Sequence, residues 1–274
     1  SDGQQLAVVT RNNELVTLKD GQVLWRKKLP AQSFTAPLVA GARVFVLTAD
    51  RSVIAFDGAT GRQLWTQQRA GEPLVLKQAG VMLAVKNTLV VGLSGRLAGL
   101  DPNTGVIRWE SAIATPRGTN DVERLVDLVA PFDRVGDVVC VRAFQAAVGC
   151  VNADRGQGVW TRPSVGEKGV SGNDSMLVAP LANGVVQAYN RSNGERLWET
   201  ERLKYRILSA PLVTPRGVLI ADNGGWLYLL SLADGALLNR IKLDSEELAT
   251  APVLAGGRYV VVTREGRVTG LQMP

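Results

Sequence analysis

Apolar residues in this chain occur in short runs that alternate with polar turns. The run Val44–Leu47, for example, is followed by the polar pair at residues 50–51 and then by a second apolar run, Val53–Phe56. Runs rich in Val, Leu and aromatic residues, bounded by Gly, Asn and Asp, are typical of β-strands. No segment has a convincing helical periodicity, so the pattern predicts an all-β protein.

A glycine followed four residues later by tryptophan recurs along the chain and reveals an internal repeat. The copies are Gly21 with Trp25, Gly61 with Trp65, Gly105 with Trp109, Gly156 with Trp160, and Gly194 with Trp198. Successive tryptophans are 40, 44, 51 and 38 residues apart. A sixth copy, at Gly235, has Asn239 in place of the tryptophan. Five of the six tryptophans therefore occupy one position of a repeat of about 40 residues.

Each repeat has the same order of elements. A short strand containing Ala-Pro comes first, then two β-rich runs, then a turn, and finally the strand that carries the tryptophan. The Ala-Pro pairs begin at Ala36, Ala130, Ala210 and Ala251. Four short strands in about 40 residues describe one propeller blade, which predicts a β-propeller of four-stranded antiparallel blades. The predicted single domain covers residues 1–274, with repeats at roughly 1–30, 31–70, 71–114, 115–164, 165–203, 204–243 and 244–274.

The repeated tryptophans are interpreted as packing residues. A four-stranded blade cannot bury both of its faces alone, so blades stack face to face and need bulky apolar side chains near their outer strands. The indole N–H also needs an acceptor, and the turn that precedes the tryptophan is the expected source. Packing between blades is therefore favoured over stacking against a ligand.

The two ends of the chain match incomplete repeats. The first repeat begins at Leu6–Thr10, which corresponds to the second strand of a blade, and the last ends near Leu271, in the third strand. About seven repeats are visible, two of them incomplete. We therefore expect a first blade and a closing strand to be missing, and the native protein to extend before Ser1.

Composition excludes several classes of function. The chain has no histidine, which removes the most frequent metal ligand and general base and every Ser-His-Asp or Cys-His catalytic arrangement. We expect no catalytic residue, no metal site and no cofactor. The net charge of +6 is spread along the chain without a Lys/Arg block, so it indicates a solvated surface and not nucleic-acid binding. No apolar run approaches the length of a membrane helix.

The sequence from Cys140 to Cys150 predicts two strands joined by a tight turn. Their spacing does not fit a CxxC metal or redox motif. A turn centred on Gln145 places the two cysteines opposite each other, where they can form a cross-strand disulfide. A one-residue change of register faces them apart as two buried thiols. The sequence leaves both alternatives open.

Two turn-and-strand segments resemble the repeat of pyrroloquinoline-quinone dehydrogenase propellers. They are Asp57–Trp65, with the sequence DGATGRQLW, and Asp101–Trp109, with the sequence DPNTGVIRW. That resemblance implies a quinone held beneath adjacent cysteines, with a calcium site and a catalytic aspartate nearby. The cysteines of this chain are ten residues apart and no convergent acidic cluster is evident. A quinone-dependent dehydrogenase or a degenerate relative is therefore the alternative hypothesis.

A second family shares this repeat, and the chain resembles it over a greater length than it resembles the quinone dehydrogenases. Residues 113–127, with the sequence IATPRGTNDVERLVD, resemble an inter-blade loop and Arg-Leu-x-Asp strand of the BamB family, and residues 203–213 resemble another segment of it. The BamB family comprises propeller lipoproteins of the outer-membrane β-barrel assembly machinery. The resemblance implies an eight-bladed propeller in the periplasm, anchored to the inner face of the outer membrane by an N-terminal lipid whose attachment site we expect before Ser1.

The resemblance also implies a partner and a set of site residues. The family binds the POTRA domains of BamA through a Leu-x-Leu-Arg segment, which corresponds here to Leu74, Leu76 and Lys77, and through the Arg-Leu-x-Asp region, which supplies Asp127. Lysine replaces arginine in the first segment and loses its bidentate geometry. A further acidic position of the family corresponds to Val129. The alternative is that Leu74 and Leu76 are strand residues facing a core.

The spacing of the repeats points to the same region. The interval between Trp109 and Trp160 is the longest, and its surplus lies at residues 114–123. Long loops on rigid scaffolds are frequent binding sites. Arg117, Glu123 and Arg124 are predicted to supply polar contacts around an apolar anchor. The predicted function is a non-enzymatic scaffold that binds BamA and helps to deliver unfolded outer-membrane proteins, which are its possible clients.

Overall fold

The structure, a computed structural model, describes residues 1–69, 74–243 and 248–272. All the regular secondary structure within these residues is β-strand, so the prediction of an all-β protein is confirmed. In the same residues there is no helix of the length and hydrophobicity that crossing a membrane requires. The chain divides into two compact units, and each is described separately.

The first unit comprises residues 1–128 together with 153–157. Its first sheet has three antiparallel strands in the order β1-β2-β3, and its other two sheets have four each, β4 to β7 and β8 to β11. The strands are β1 (Gln5–Val9), β2 (Glu14–Lys19), β3 (Gln22–Lys28), β4 (Leu38–Ala40), β5 (Arg43–Leu47), β6 (Ser52–Asp57), β7 (Gln63–Gln68), β8 (Met82–Val85), β9 (Thr88–Leu93), β10 (Arg96–Leu100) and β11 (Ile107–Ala112).

The second unit comprises residues 129–152 and 158–274. Three four-stranded sheets, β12 to β15, β16 to β19 and β20 to β23, are followed by a sheet of three strands, β24 to β26. The strands are β12 (Leu128–Val135), β13 (Val138–Ala143), β14 (Ala147–Asn152), β15 (Gln157–Pro163), β16 (Ser171–Gly172), β17 (Met176–Pro180), β18 (Val186–Asn190), β19 (Arg196–Thr200), β20 (Leu212–Thr214), β21 (Gly217–Ala221), β22 (Trp226–Leu230), β23 (Leu237–Lys242), β24 (Val253–Ala255), β25 (Arg258–Val262) and β26 (Val268–Leu271).

Within each sheet the strand order follows the chain, and each strand pairs antiparallel with the next. This is the blade arrangement that the repeat predicts. The two middle strands of the second sheet, β5 and β6, are almost wholly buried, whereas no residue of its last strand β7 is buried. Continuous apolar runs therefore mark middle strands covered on both faces, and mixed sequences mark outer strands.

The Ala-Pro pairs were predicted to lie within the first strand of each repeat, and three of the four positions differ. Pro37, Pro211 and Pro252 come directly before β4, β20 and β24. Proline has no N–H to donate to a neighbouring strand, so the strand begins at the residue after it. Only Ala130-Pro131 lies inside a strand, β12.

The repeated tryptophans pack against the next sheet, as predicted. The ring of Trp25 lies against Gly61, where an added Cβ would come within 2.6 Å of it. Gly61 also has a φ of +68°, which favours glycine. The same contact joins Trp65 to Gly105 and Trp109 to Gly156. The glycine of the repeat motif therefore serves the tryptophan of the preceding repeat, which explains why the two residue types recur together.

The acceptors of the indole N–H groups differ from the expected ones. The donors bond to carbonyl oxygens in the following repeat, not in the preceding turn, because each ring extends toward the next sheet. The bonds are Trp25 to Gly58 (2.8 Å), Trp65 to Pro102 (3.1 Å), Trp160 to Arg191 (2.7 Å) and Trp198 to Leu232 (2.8 Å). The indole N–H of Trp109 is buried without an acceptor among the described residues.

The two cysteines form a disulfide. Cys140 on β13 and Cys150 on β14 are direct partners in the antiparallel register, with their Cα atoms 4.0 Å apart. Gln145 lies in the connecting turn with a φ of +52°. The turn therefore has the centre that places the cysteines opposite each other, and the alternative of two free thiols is excluded.

Candidate partner-binding site

Leu74, Leu76 and Lys77 lie in the connection between β7 and β8. Described residues 74–80 contain no strand, and β8 begins only at Met82. The side chain of Leu74 is 38% exposed, Leu76 is half-buried and Lys77 is exposed. The alternative interpretation, in which the two leucines are strand residues facing a core, is wrong. We call residues 74–77 the leucine segment.

Asp127 holds the leucine segment in place. Its carboxylate accepts a hydrogen bond from the backbone N–H of Leu76 (Oδ2, 3.0 Å) and pairs with Arg51 through Oδ1 (2.9 Å). The second amino group of Arg51 donates to the carbonyl of Leu74 (3.1 Å). The side chains of Arg51 and Asp127 are only 9% and 16% exposed. One carboxylate thus joins a turn and two connections that are far apart in the sequence.

Arg51 reaches this position because of the turn between β5 and β6. Its backbone has a φ of +63° and its N–H donates to the carbonyl of Thr48 (3.0 Å). Asp50 supports the turn by accepting from the hydroxyl of Thr48 (2.6 Å) and the N–H of Ser52 (3.3 Å). Arg51 was not predicted as a site residue, because a polar Asp-Arg pair between two apolar runs indicates only a turn.

The long connection at residues 113–127 is anchored at both ends to the turn between β9 and β10. The N–H groups of Ile113 and Ala114 donate to the carbonyl of Gly95 (2.9 and 3.0 Å). At its other end, the buried Val126 packs so close to Gly95 that an added Cβ there would lie 2.9 Å from its side chain. The middle of the connection therefore projects from a fixed base.

Glu123 organises the exposed middle of this connection. Its carboxylate accepts from the N–H of Thr119 (2.8 Å), and its own N–H donates to Asn120 Oδ1 (2.9 Å). The hydrogen bonds that this carboxylate accepts lower the pKa of Glu123, with the one from the Thr119 N–H as the largest cause. Gly118 has a φ of +124°, and a Cβ there would lie 2.3 Å from the side chain of Glu123. Glu123 therefore shapes the loop in addition to any contact with a partner.

The same loop presents an apolar side chain that sequence reasoning did not name. Val122 is 71% exposed, between the exposed residues Asp121 and Glu123. Arg117 and Arg124 are exposed as well. Val122 thus has the character of the apolar anchor expected amid polar contacts. The signal was present in the sequence as a single branched apolar residue in an otherwise polar loop.

The structure joins some predicted site residues and not others. Asp127 is hydrogen-bonded to the leucine segment, whereas Arg117 and Glu123 form no hydrogen bond to residues 74–77 in the described part of the chain. Val129, at the position where the family resemblance suggested an acidic residue, is only 1% exposed in β12. A carboxylate there would be buried, so the apolar residue suits its surroundings.

The described residues do not reproduce a quinone or metal site. They contain no group of three or more Cys, Asp or Glu side chains placed to hold a metal ion. Cys140 and Cys150 form a buried cross-strand bridge between residues ten apart, unlike the adjacent cysteines that the alternative hypothesis requires.

Comparison with known proteins identifies the family. The family model described as outer membrane protein assembly factor BamB matches residues 1–200 and 182–273. The BamB of Burkholderia pseudomallei is 35% identical over 275 residues, which cover 99% of this chain and 72% of that protein. The BamB of Bordetella pertussis is 31% identical over 269 residues, covering 97% and 70%.

A solved structure agrees with these sequence matches. The crystal structure of BamB from Moraxella catarrhalis superposes with a TM-score of 0.91 at 22% identity, covering 100% of this chain and 83% of that one. This likeness confirms the predicted β-propeller fold. The matched relatives are named as assembly factors, which favours the predicted assembly role over the alternative of a dehydrogenase. The chain belongs to the BamB family of outer membrane protein assembly factors.

Proposed function

We propose that this chain is a scaffold subunit in outer-membrane protein assembly and that it binds the POTRA domains of BamA. The docking surface consists of the leucine segment, residues 74–77, and the exposed loop at residues 117–124. The names of the matched relatives support the role in assembly. The contact with BamA and the identity of the surface rest on the resemblance of the two segments to the family.

The hydrogen bond from Leu76 to Asp127 is the observation that carries this proposal. The two segments singled out by the resemblance are separated by about 50 residues in the sequence, and this bond joins them (3.0 Å). An exposed leucine, a half-buried leucine and an exposed lysine, joined through Asp127 to the connection that carries the polar loop, match the usual anatomy of a docking site. In this proposal Leu74, Leu76 and Lys77 contact the partner.

Asp127 has a different role in the proposal. It is largely buried and its two oxygens are occupied by Arg51 and Leu76, so it positions the leucine segment. Arg51 is assigned the same positioning role because it holds both Asp127 and the carbonyl of Leu74. The proposed place of action is the periplasm, at the inner face of the outer membrane, with unfolded outer-membrane proteins as clients.

The test measures binding of the POTRA region of BamA by calorimetry. Replacing Leu74, Leu76 and Lys77 together by alanine should weaken binding by at least about tenfold, because apolar anchors carry most of the free energy of binding. The matched control replaces Leu237, Leu238 and Lys242 of β23 by alanine, since Leu237 is also 38% exposed. Circular dichroism checks that both variants are folded.

Two outcomes contradict the proposal. Wild-type protein that shows no binding at POTRA concentrations of tens of micromolar would exclude BamA binding by this chain. Equal losses in the test and control variants would exclude the leucine segment as the docking surface. Asp127→Asn separates positioning from contact: it should weaken binding and also speed hydrogen exchange at the Leu76 amide, whereas Lys77→Ala should weaken binding alone.

A further inference from the structure

A small pocket lies in the first unit at the turns that join β4 to β5 and β8 to β9. Its volume is about 110 Å³, and it is lined by Arg43, Phe45, Lys86, Asn87, Leu89 and Asn103, among others. We call it the turn pocket. Arg43 is the first residue of β5, whereas Arg51 lies in the turn that follows this strand. The turn pocket is therefore at the opposite end of β5 from the leucine segment, about 13 Å along the strand.

Arg43 gives the turn pocket its chemistry. Its two amino groups donate to the carbonyl of Gly41 (3.0 Å) and to the amide oxygen of Asn103 (2.8 Å). Both acceptors are neutral, and no carboxylate pairs with Arg43 among the described residues. Its Nε–H is buried and has no hydrogen-bond partner in the same residues. A cation with a buried, unpaired donor is an unfavourable arrangement that an anionic acceptor would relieve.

Several other arginines of the chain have the acidic partner that Arg43 lacks among the described residues. Arg51, Arg191 and Arg206 each form an ion pair with an aspartate. Arg142 has an unpaired Nε as well, but it is fully buried and donates to Ser164 and Pro180, so no ligand from solution reaches it. At Arg43, in contrast, an uncompensated guanidinium lines a pocket.

The remaining walls limit what the turn pocket can hold. Phe45 and Leu89 are buried and give it an apolar floor. Lys86 is exposed at the rim and forms an ion pair with Asp154 (3.1 Å), so it supplies N–H donors there while its charge is balanced. An engineered cavity of about 150 Å³ holds one benzene molecule, so 110 Å³ accommodates an anion with few other heavy atoms.

We propose that the turn pocket binds a small oxyanion, a carboxylate or a phosphate, through the guanidinium of Arg43. The anion displaces the exposed Asn103 amide from Nη2, gains access to the neighbouring Nε by that displacement, and accepts from both in the bidentate geometry that arginine forms with carboxylates and phosphates. Lys86 and Asn87 stand at the rim, where they meet the remaining oxygens. This site is independent of the proposed contact with BamA.

The test is a titration of the protein followed by ¹H–¹⁵N NMR. The probes are inorganic phosphate, acetate and a soluble short-chain phosphatidic acid, which distinguish free phosphate, a carboxylate and a lipid headgroup. Saturable shifts are expected at the Nε–H of Arg43 and at the backbone amides of residues 41–43 and 86–88. Arg43→Gln should weaken binding about tenfold, the equivalent of one charge-assisted hydrogen bond.

The matched control is Arg26→Gln, which removes an exposed arginine from the outer strand β3. It should leave binding unchanged. Equal weakening in both variants would show a general effect of net charge and overturn the proposal. So would the absence of saturable shifts at probe concentrations well above about 1 mM. Circular dichroism of Arg43→Gln excludes loss of fold as the cause of weaker binding.

Discussion

An arginine–aspartate pair secures a connection in each of the two units, but the two residues exchange places. In the first unit Arg51 lies in a turn between middle strands and Asp127 lies in the long connection. In the second unit Asp222 follows β21 in such a turn, and its partner Arg206 lies in the connection between β19 and β20. The turn therefore supplies the arginine in the first unit and the aspartate in the second.

The other bonds of the two carboxylates show why this exchange matters. Asp127 accepts from the backbone of a separate connection, at Leu76. Asp222 accepts from its own turn, at the N–H groups of Gly224 (3.0 Å) and Trp226 (2.9 Å), and from the hydroxyl of Tyr228 (2.8 Å). Asp127 thus orders a surface segment, whereas Asp222 holds together the end of a sheet. Loss of the first should alter a surface, and loss of the second should cost global stability.

The largest effect is expected for Asp222→Ala. The side chain is fully buried, so its removal leaves two backbone N–H groups and the Tyr228 hydroxyl without an acceptor. Each unsatisfied buried donor costs about 1–3 kcal/mol, and the free energy of unfolding should fall by about 3–5 kcal/mol. Urea denaturation measures it. Asp234→Ala, in an exposed turn, is the control and should change stability by less than about 0.5 kcal/mol.

Asp127→Ala should cost less and act more locally. Arg51 loses its carboxylate partner while only 9% exposed, and Leu76 loses its acceptor, which together should cost about 2 kcal/mol. Hydrogen exchange at the amides of residues 74–80 should accelerate more than exchange in β5 and β6. Uniform acceleration across the first unit would contradict the distinction between a surface clamp and a sheet-stabilising carboxylate.

The sequence predicted the sheets but only part of these contacts. The repeated glycine and tryptophan revealed the repeat, because their spacing reflects a contact that recurs in adjacent sheets, as between Trp25 and Gly61. The hydrogen bond from Leu76 to Asp127 has no such periodicity. It depends on Arg51, a single residue whose turn conformation places its guanidinium near two connections, and residue type alone does not reveal that.

The disulfide shows the same difference between what the sequence pattern predicts and what the strand register determines. The strands around Gln145 were predictable from composition, but the register that brings Cys140 opposite Cys150 was not. A one-residue shift exchanges the two faces of a strand without changing its hydrophobic content where both faces are buried. Register within β13 and β14 is therefore information that only the structure supplies.

The stability that Asp222 provides should depend on pH. Burial alone would raise the pKa of this carboxyl, but hydrogen bonds from Trp226 and Tyr228 and the charge of Arg206 lower it below the ordinary value of 3.8. A carboxyl whose pKa is lower in the folded state contributes stability above its unfolded pKa and loses it as pH falls through the folded value. The stability difference between wild type and Asp222→Asn should therefore shrink as pH falls below about 4. Urea denaturation across this range measures it, and a constant difference would contradict the assignment.

The smallest effect is expected for Arg206→Ala, the reciprocal change in the second unit. Arg206 is 43% exposed, so its pair with Asp222 is partly screened by solvent, and its contact over the ring of Tyr228 (5.6 Å) is also near the surface. The loss should be about 1 kcal/mol or less, because Asp222 keeps its backbone and tyrosine donors. Arg51→Ala in the first unit should cost more, since Arg51 is buried and also holds the carbonyl of Leu74. Urea denaturation of the two variants under identical conditions tests this order, and a larger loss for Arg206→Ala would mean that the ion pair, and not the turn, determines the stability at Asp222.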